Sequence, residues 1–131
     1  MTERGTTMNE PGQRPDRLFA AYLFDLDGTI YLGESLLPGA KALIDRLHAL
    51  GRPVRFLSNN PTKSRAAYVE RLNRLGIAVA AEEIVTSVQT MVAWLQTAHP
   101  DAVVSPISEA PLIEAIDAAG FTMPPEALDG Y

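Results

Sequence analysis

A short apolar segment that stops abruptly at an acidic residue constrains the fold of this chain most. Residues 18–24 read LFAAYLF and are followed at once by Asp25. The run is far shorter than the roughly 20 apolar residues of a membrane span, and its length suits a buried strand. Near-continuous apolarity is typical of a parallel strand that is covered on both faces. The segment therefore predicts such a strand, with Asp25 at its carboxyl end.

Amphipathic helices and further apolar runs alternate after this strand. The first helix opens at Pro38-Gly39 and carries an apolar face formed by Leu43, Ile44, Leu47 and Leu50. Three more helices are predicted at about 63–75, at about 88–95 and around 112–116, and further short strands at 54–57, 84–86 and 103–104. Such alternation is typical of an α/β fold with a parallel sheet.

The amino-acid composition limits the classes of protein to which this chain can belong. A length of 131 residues fits one domain of ordinary size, and 47% hydrophobic residues lie outside the range of disordered chains. The absence of cysteine excludes a disulfide scaffold, a thiolate zinc site and a cysteine nucleophile, and it suits a cytoplasmic protein. A net charge of −5 argues against binding to nucleic acid or to an anionic membrane. The polar, Pro/Gly-rich residues 1–17 predict a disordered leader.

Polar clusters follow the first two predicted strands directly. The string DLDGT occupies residues 25–29, and Ser58, Asn59 and Asn60 follow the second strand. Ligands of parallel α/β sheets bind beyond the carboxyl ends of the strands. Either Asp alone is more often a turn or cap residue, and Asn59-Asn60-Pro61 alone is most often a turn. Their joint placement at one sheet edge is the main functional signal.

The two aspartates suit phosphoryl chemistry. Asp25 and Asp27 are two residues apart, so their side chains can point the same way while Leu26 points into the core. Two carboxylates this close repel each other, and a hard divalent cation such as Mg²⁺ relieves the repulsion. One carboxylate can then attack phosphorus while its neighbour moves protons. The pair therefore predicts a magnesium site with a nucleophile.

The second cluster supplies groups for the phosphoryl oxygens. The Ser58 hydroxyl and the neighbouring backbone N–H groups are neutral donors, and the N-terminus of the following helix adds a favourable dipole. Lys63 and Arg65 are predicted in the first turn of that helix, where positive charge is unfavourable unless an anion lies nearby. Both are otherwise ordinary residues of a solvated helix face.

With both clusters in place, the chain resembles the haloacid dehalogenase-like hydrolases. Residues 21–76 resemble class IIA, the subgroup with NagD-like, p-nitrophenylphosphatase-like and phosphoglycolate-phosphatase-like members. The resemblance implies a Rossmann-like core over residues 18–86 and the beginning of an α/β cap domain over 87–131. It implies that Asp25 forms an aspartyl-phosphate. Asp27 would protonate the leaving group and then activate water. Both aspartates would belong to the Mg²⁺ site, Asp27 through its backbone carbonyl.

The remaining matching residues receive roles by the same resemblance. Gly28 and Thr29 would shape the loop, and Ser58 would bond the phosphoryl oxygens, with Asn59 and Asn60 lining the same pocket. The implied substrate is a small phosphorylated metabolite.

The sequence departs from the family after this region. The cap segment VVSPISEAP differs from the family pattern, and no lysine follows Lys63. The family's later lysine and acidic motif are expected beyond Tyr131, so we expect an incomplete core and a truncated cap, as in the N-terminal portion of a phosphatase. The alternative is a non-catalytic phosphate- or Mg²⁺-binding module, a regulatory module or a degenerate remnant. An exposed sheet edge would favour homo-oligomers.

Overall fold

A computed structural model describes residues 17–125 of the chain. The predicted leader, apart from Arg17, and the last six residues of the predicted cap lie outside the described residues. The elements, in chain order, are β1 (Tyr22–Asp25), β2 (Tyr31–Leu32), β3 (Ser35–Leu36), α1 (Ala40–Ala49), β4 (Val54–Ser58), α2 (Arg65–Arg74), a 3₁₀ turn (Ala81–Glu83), β5 (Ile84–Thr86), α3 (Ser87–Ala98) and α4 (Ala110–Ala118).

A parallel three-stranded sheet in the order β1-β4-β5 forms the centre of the fold. Asp25 is opposite Leu57, and Ser58 is opposite Thr86, so the strands end along one edge. Each connection from one strand to the next contains a helix, as parallel pairing requires. The α/β prediction is confirmed.

One face of this sheet carries the main hydrophobic core. Alternate residues of β4 are buried or exposed, and the buried set, with Ile84 of β5, packs against α1 and α2. On the other face Leu23 is 66% exposed and Leu57 is 38% exposed. The prediction of a first strand covered on both faces is therefore wrong, because the described residues place α1 and α2 on the same side. The strand also begins only at Tyr22, and Leu18 and Phe19 are exposed.

The buried stripe of α1 differs from the predicted one. Ala40, Ile44 and Leu47 are buried, whereas Leu43 and Leu50 are exposed. The observed stripe thus shares Ile44 and Leu47 with the predicted face, and it includes Ala40 in place of Leu43 and Leu50.

Helix α2 begins later than predicted. Ser64 caps it, and its Oγ accepts a hydrogen bond from the Ala67 N–H at 3.2 Å. Lys63 therefore precedes the helix, and only Arg65 lies in the first turn.

A small antiparallel hairpin of β2 and β3 lies between β1 and α1. Sequence reasoning missed it, because strands of two residues show no measurable periodicity. The hairpin matters for the site, because its first residue, Tyr31, lies four residues after Asp27.

A second hydrophobic cluster joins α3 and α4 through Val88, Leu112, Ile116 and Phe121. The strand predicted at 103–104 is wrong: Val103 forms only an isolated bridge with Thr122. The predicted boundary between residues 86 and 87 falls between the two clusters, and it stays a prediction. None of the helices within residues 17–125 is long and apolar enough to cross a membrane.

Candidate functional site

The two aspartates occupy the tip of β1. Asp25 is the last residue of the strand, and Asp27 follows in the loop. Both side chains are exposed, while Leu26 between them is fully buried. Thr29 Oγ1 donates to Asp25 Oδ2 over 3.4 Å, and Tyr31 Oη donates to Asp27 Oδ2 over 3.4 Å. Each carboxylate is therefore oriented by one hydroxyl and keeps acceptor capacity for a ligand.

A tight turn holds these carboxylates in place. The Leu26 carbonyl accepts the N–H groups of Thr29, Ile30 and Tyr31, at 3.2, 2.9 and 3.4 Å. Gly28 has φ +84°, and its N–H donates to the Tyr31 carbonyl over 2.7 Å. A Cβ at Gly28 would meet nothing within 4 Å. The turn therefore favours glycine for its backbone conformation and not for space.

Ser58 ends the neighbouring strand β4. Its side chain is only 7% exposed, and its hydroxyl donates to Tyr68 Oη over 2.7 Å. The Asn60 N–H donates to Ser58 Oγ over 3.3 Å. The serine oxygen is therefore fixed from two sides, by a helix residue below and by the loop above.

Asp25 and Ser58 share an edge of the sheet but not a face. The register places Asp25 beside Leu57 on the open face, and Ser58, one residue further, turns to the covered face. A ligand that contacts both groups must therefore sit over the edge, beyond the ends of the strands. Parallel sheets commonly bind ligands in this position.

The two asparagines differ in role. Asn60 Oδ1 accepts hydrogen bonds from the Thr62 N–H at 2.9 Å and from Thr62 Oγ1 at 2.7 Å. This Asx turn connects β4 to α2 and occupies the side-chain carbonyl. Asn59 is exposed at the strand end. Arg65 is half-buried, and its Nε finds no hydrogen-bond partner among residues 17–125.

Tyr31 is the most strongly perturbed titratable group of the region. Its side chain is fully buried, and the Arg71 guanidinium lies 4.2 Å from the centre of its ring. Burial raises the pKa of Tyr31 to about 12, and the negative charge of Asp27 adds to the rise while Arg71 opposes it. The phenol therefore stays protonated and able to donate to Asp27 at neutral pH.

An open cavity of about 570 Å³ lies on the uncovered side, between the ends of β4 and β5 and helix α3. Ser58 and Asn59 reach its rim, whereas Asp25 and Asp27 are not part of it. Its wall is mostly apolar and includes Met91 and Trp94. Trp94 is 56% exposed. An apolar wall does not suit a phosphoryl group, so we place the candidate site at the strand ends and not in this cavity.

The exposed aspartates fit a hydrated magnesium ion. Mg²⁺ prefers oxygen ligands and is commonly held by one or two carboxylates together with retained waters. Asp25 supplies such a carboxylate, and Asp27 supplies a backbone carbonyl oxygen. Within residues 17–125 no group of three or more acidic, His or Cys side chains converges on one point. The donor set therefore suits a partly hydrated ion and not a closed protein cage.

Comparison with known proteins decides the family. Residues 22–122 match the family model of the haloacid dehalogenase-like hydrolases. The chain belongs to this family. An acid sugar phosphatase of Staphylococcus aureus is 35% identical over 105 residues, which cover 80% of this chain and 40% of the relative. The chain thus spans about two fifths of the length of the curated relatives it matches.

Solved structures give the same result for the fold. A 4-nitrophenylphosphatase from Thermotoga maritima matches with a TM-score of 0.74 and 25% identity, covering 79% of this chain and 40% of the other. NagD from Escherichia coli K-12 matches with a TM-score of 0.74 over 82% of this chain and 43% of the other, at 22% identity, which supports the fold alone. These matches confirm the class IIA resemblance and a partial haloacid dehalogenase-like core.

Sequence reasoning missed two residues of the site, Tyr31 and Tyr68. The sequence pattern gave neither tyrosine a role in the site. A general signal was available: buried tyrosine hydroxyls usually find a hydrogen-bond partner. The sequence did not show which partners these would be, because Ser58 and Tyr68 are ten residues apart and in different elements.

Proposed function

We propose that this chain carries the nucleophile, the acid–base residue and a phosphoryl-binding hydroxyl of a phosphomonoester hydrolase. The observation that supports this most is the register of β1 and β4, which brings Asp25 and Ser58 to the ends of adjacent parallel strands. Asp27 lies two residues after Asp25 in a turn held by the Leu26 carbonyl. Membership in a hydrolase family supports the same assignment.

The proposed reaction has two displacements at phosphorus. In the first, an Asp25 carboxylate oxygen attacks phosphorus while the bond to the leaving oxygen breaks and Asp27 protonates that oxygen. An aspartyl-phosphate forms on Asp25. In the second, Asp27 takes a proton from water, the water oxygen attacks phosphorus, and phosphate leaves as the Asp25 carboxylate is restored. Covalent catalysis of this kind replaces one difficult step with two easier ones.

Ser58 is proposed to bond the phosphoryl oxygens. Its hydroxyl now donates to Tyr68, so binding requires the Ser58 proton to turn toward the ligand while the Tyr68 hydroxyl donates to Ser58. Asn59, exposed at the strand end, and the loop residues Gly28 and Thr29 are proposed to line the same pocket. Asn60 contributes by forming the turn.

Magnesium is the proposed cofactor, held by the Asp25 carboxylate and the Asp27 backbone carbonyl. When bound, it would neutralise charge on the phosphoryl oxygens and on the Asp25 carboxylate. The chain's own contribution is to keep both carboxylates exposed at the strand end, each with one hydroxyl donor.

A small phosphorylated metabolite is the proposed substrate. The name acid sugar phosphatase of the S. aureus relative favours a sugar phosphate among such compounds. The matched relatives with functional names are phosphatases, which favours the hydrolase over a non-catalytic module. The cytoplasmic location stays a prediction.

The test is an assay with p-nitrophenyl phosphate and Mg²⁺. The parent chain is compared with Asp25→Asn and with Asp117→Asn, which removes an exposed carboxylate of α4 far along the chain. We expect Asp25→Asn to abolish turnover and the mass-spectrometric phosphate adduct on residue 25, while Asp117→Asn retains both. Turnover that survives in Asp25→Asn contradicts the proposed nucleophile.

A further inference from the structure

We propose that Tyr31 and Tyr68 are positioning residues of the site, Tyr31 for Asp27 and Tyr68 for Ser58. The proposal rests on the proposed function and deepens it. Both tyrosines are fully buried, and their hydroxyl groups hydrogen-bond to two different residues of the candidate site. The residues they hold are the proposed proton donor and the proposed phosphoryl ligand.

The ring of Tyr31 is held by contacts independent of Asp27. Arg71 of α2 stacks on the ring, and its guanidinium also donates to the Gly33 carbonyl and pairs with Glu34 at 3.2 Å. These contacts connect the β2–β3 hairpin to α2. The Tyr31 hydroxyl therefore approaches Asp27 from a fixed position, and it limits the directions that the carboxylate can take.

The hydrogen bond from Tyr31 to Asp27 is long, at 3.4 Å. Hydrogen bonds of catalytic groups are often long without substrate and shorten when it binds. A phenol with an ordinary pKa of about 10 is protonated at neutral pH. The hydroxyl can therefore donate to Asp27 when Asp27 is a carboxylate, and release it when Asp27 accepts a proton.

Tyr68 holds Ser58 from beneath the sheet. It lies in the buried stripe of α2, and its oxygen is 2.7 Å from Ser58 Oγ. Tyr31 and Tyr68 belong to the same buried hydrophobic cluster. Tyr31 and Tyr68 thus hold Asp27 and Ser58 from the covered side of the sheet. Asp25 is instead accessible to a ligand from the open side.

The two tyrosines predict different kinetic defects. Tyr31 acts through a proton donor, and loss of that donor matters most when the leaving group is a poor one. Nitrophenolate leaves as a stable anion, whereas the alkoxide of glycerol phosphate needs a proton. Tyr68 acts through a phosphoryl ligand, and the phosphoryl group is the same in both substrates.

The experiment compares Tyr31→Phe, Tyr68→Phe and Tyr22→Phe in the full chain with Mg²⁺. Tyr22 is the matched control, because its hydroxyl contacts only the Phe19 N–H, at 3.0 Å, among the described residues. We expect Tyr31→Phe to lower kcat/KM for glycerol phosphate about tenfold or more and for p-nitrophenyl phosphate by less than about threefold. Tyr68→Phe should lower both by the same factor, and Tyr22→Phe neither.

An equal loss for both substrates in Tyr31→Phe would contradict its positioning role, because a general loss of structure affects both alike. Parental kinetics in Tyr68→Phe would contradict its role. Unfolding curves of all three variants show how much folded protein each assay contains.

A second measurement does not depend on turnover. Tyrosine labelled with ¹³C at Cζ reports the environment of the Tyr31 hydroxyl at neutral pH in the parent, in Asp27→Asn and in Asp117→Asn. We expect the Cζ chemical shift of Tyr31 to change in Asp27→Asn and not in Asp117→Asn, because Asp27 Oδ2 accepts the hydrogen bond of the Tyr31 hydroxyl. An unchanged chemical shift in Asp27→Asn overturns the Tyr31–Asp27 contact. Turnover that survives in Asp25→Asn, together with a changed Tyr31 shift in Asp27→Asn, overturns the proposed function and leaves the contact standing, so the two failures are distinct.

Discussion

Tyr31 shows how a single residue joins the core to the candidate site. Its ring is fully buried and stacked by Arg71, and its hydroxyl reaches Asp27 in an exposed loop. A phenylalanine would fill the same space but would leave the carboxylate without this donor. The ring therefore contributes to the core, and the hydroxyl contributes a hydrogen bond to the candidate site.

The raised pKa of Tyr31 predicts a loss of stability at high pH. The folded chain holds the phenol proton up to a pKa of about 12, while the unfolded chain releases it near the ordinary value of 10.0. The contribution of Tyr31 to the free energy of unfolding is therefore constant below pH 10 and falls between pH 10 and 12. One proton gives a slope of up to about 1.4 kcal/mol per pH unit. Urea unfolding of the parent and of Tyr31→Phe across this range measures it, and equal slopes would contradict the prediction.

The residues of the site could be predicted where local rules decide them. Asp25, Asp27 and Ser58 follow apolar strands, and the alternation of side chains places Leu26 in the core. The roles of Asn60 and Tyr68 could not be predicted, because each depends on which polar atom lies nearby after folding. Asn60 Oδ1 accepts hydrogen bonds from Thr62 and closes a turn, and the place of Asn60 in the pocket stays a prediction.

At the scale of single elements, helix α1 shows the limit of pattern reasoning. Leu43, Leu47 and Leu50 are as well spaced for one face as Ala40, Ile44 and Leu47. The position of the sheet decides between the two faces, and the helix sequence alone does not contain that information. The existence and type of α1, α2, α3 and α4 were predicted, but the exact centre of the buried stripe was not.

A pair of leucines on α1 tests the observed stripe. Leu47 is 2% exposed and Leu43 is 46% exposed. Leu47→Ala removes buried methyl groups and leaves a cavity, so we expect a loss of about 2–5 kcal/mol in the free energy of unfolding. Leu43→Ala should cost less than about 1 kcal/mol. Denaturant unfolding measures both, and a larger loss for Leu43→Ala would favour the stripe expected from the sequence.

The cap of α2 gives a second test at this scale. Ser64 Oγ accepts the Ala67 N–H, which is one of the unpaired donors of the first turn. Ser64→Ala should therefore lower the free energy of unfolding by about 1 kcal/mol, and Ser64→Asn should retain most of the stability. Thr97→Ala, which removes a hydroxyl that donates to the Ala93 carbonyl within α3, controls for the loss of a side-chain oxygen. Equal stability of Ser64→Ala and the parent would show that the cap contributes nothing.

At the scale of the whole molecule, the described residues cover only one face of the sheet. Leu23 and Trp94 are 66% and 56% exposed, and the apolar cavity beside α3 lies on the same open side. Large exposed apolar patches commonly mark a surface that another chain covers. β1 also has one hydrogen-bonded neighbour, β4, among the described strands.

We expect this open face to cause concentration-dependent self-association. Leu23→Lys should shift the mass measured by light scattering toward the monomer, because it places a charge among the exposed apolar residues of the open face, on the edge strand β1. Leu32→Lys is the matched control, since Leu32 is 70% exposed on the β2–β3 hairpin and away from that face. A parent chain that stays monomeric at high concentration contradicts the prediction.

The position of β1 at the rim of the sheet has a consequence for heat resistance. Within residues 17–125, the strand that carries Asp25 is hydrogen-bonded along one side, whereas β4 is hydrogen-bonded along both. Local fraying of a strand requires less free energy than melting of the whole chain. Warming should therefore detach the proposed nucleophile from its surroundings while the helices are still intact, and catalytic capacity should vanish several degrees before ellipticity does.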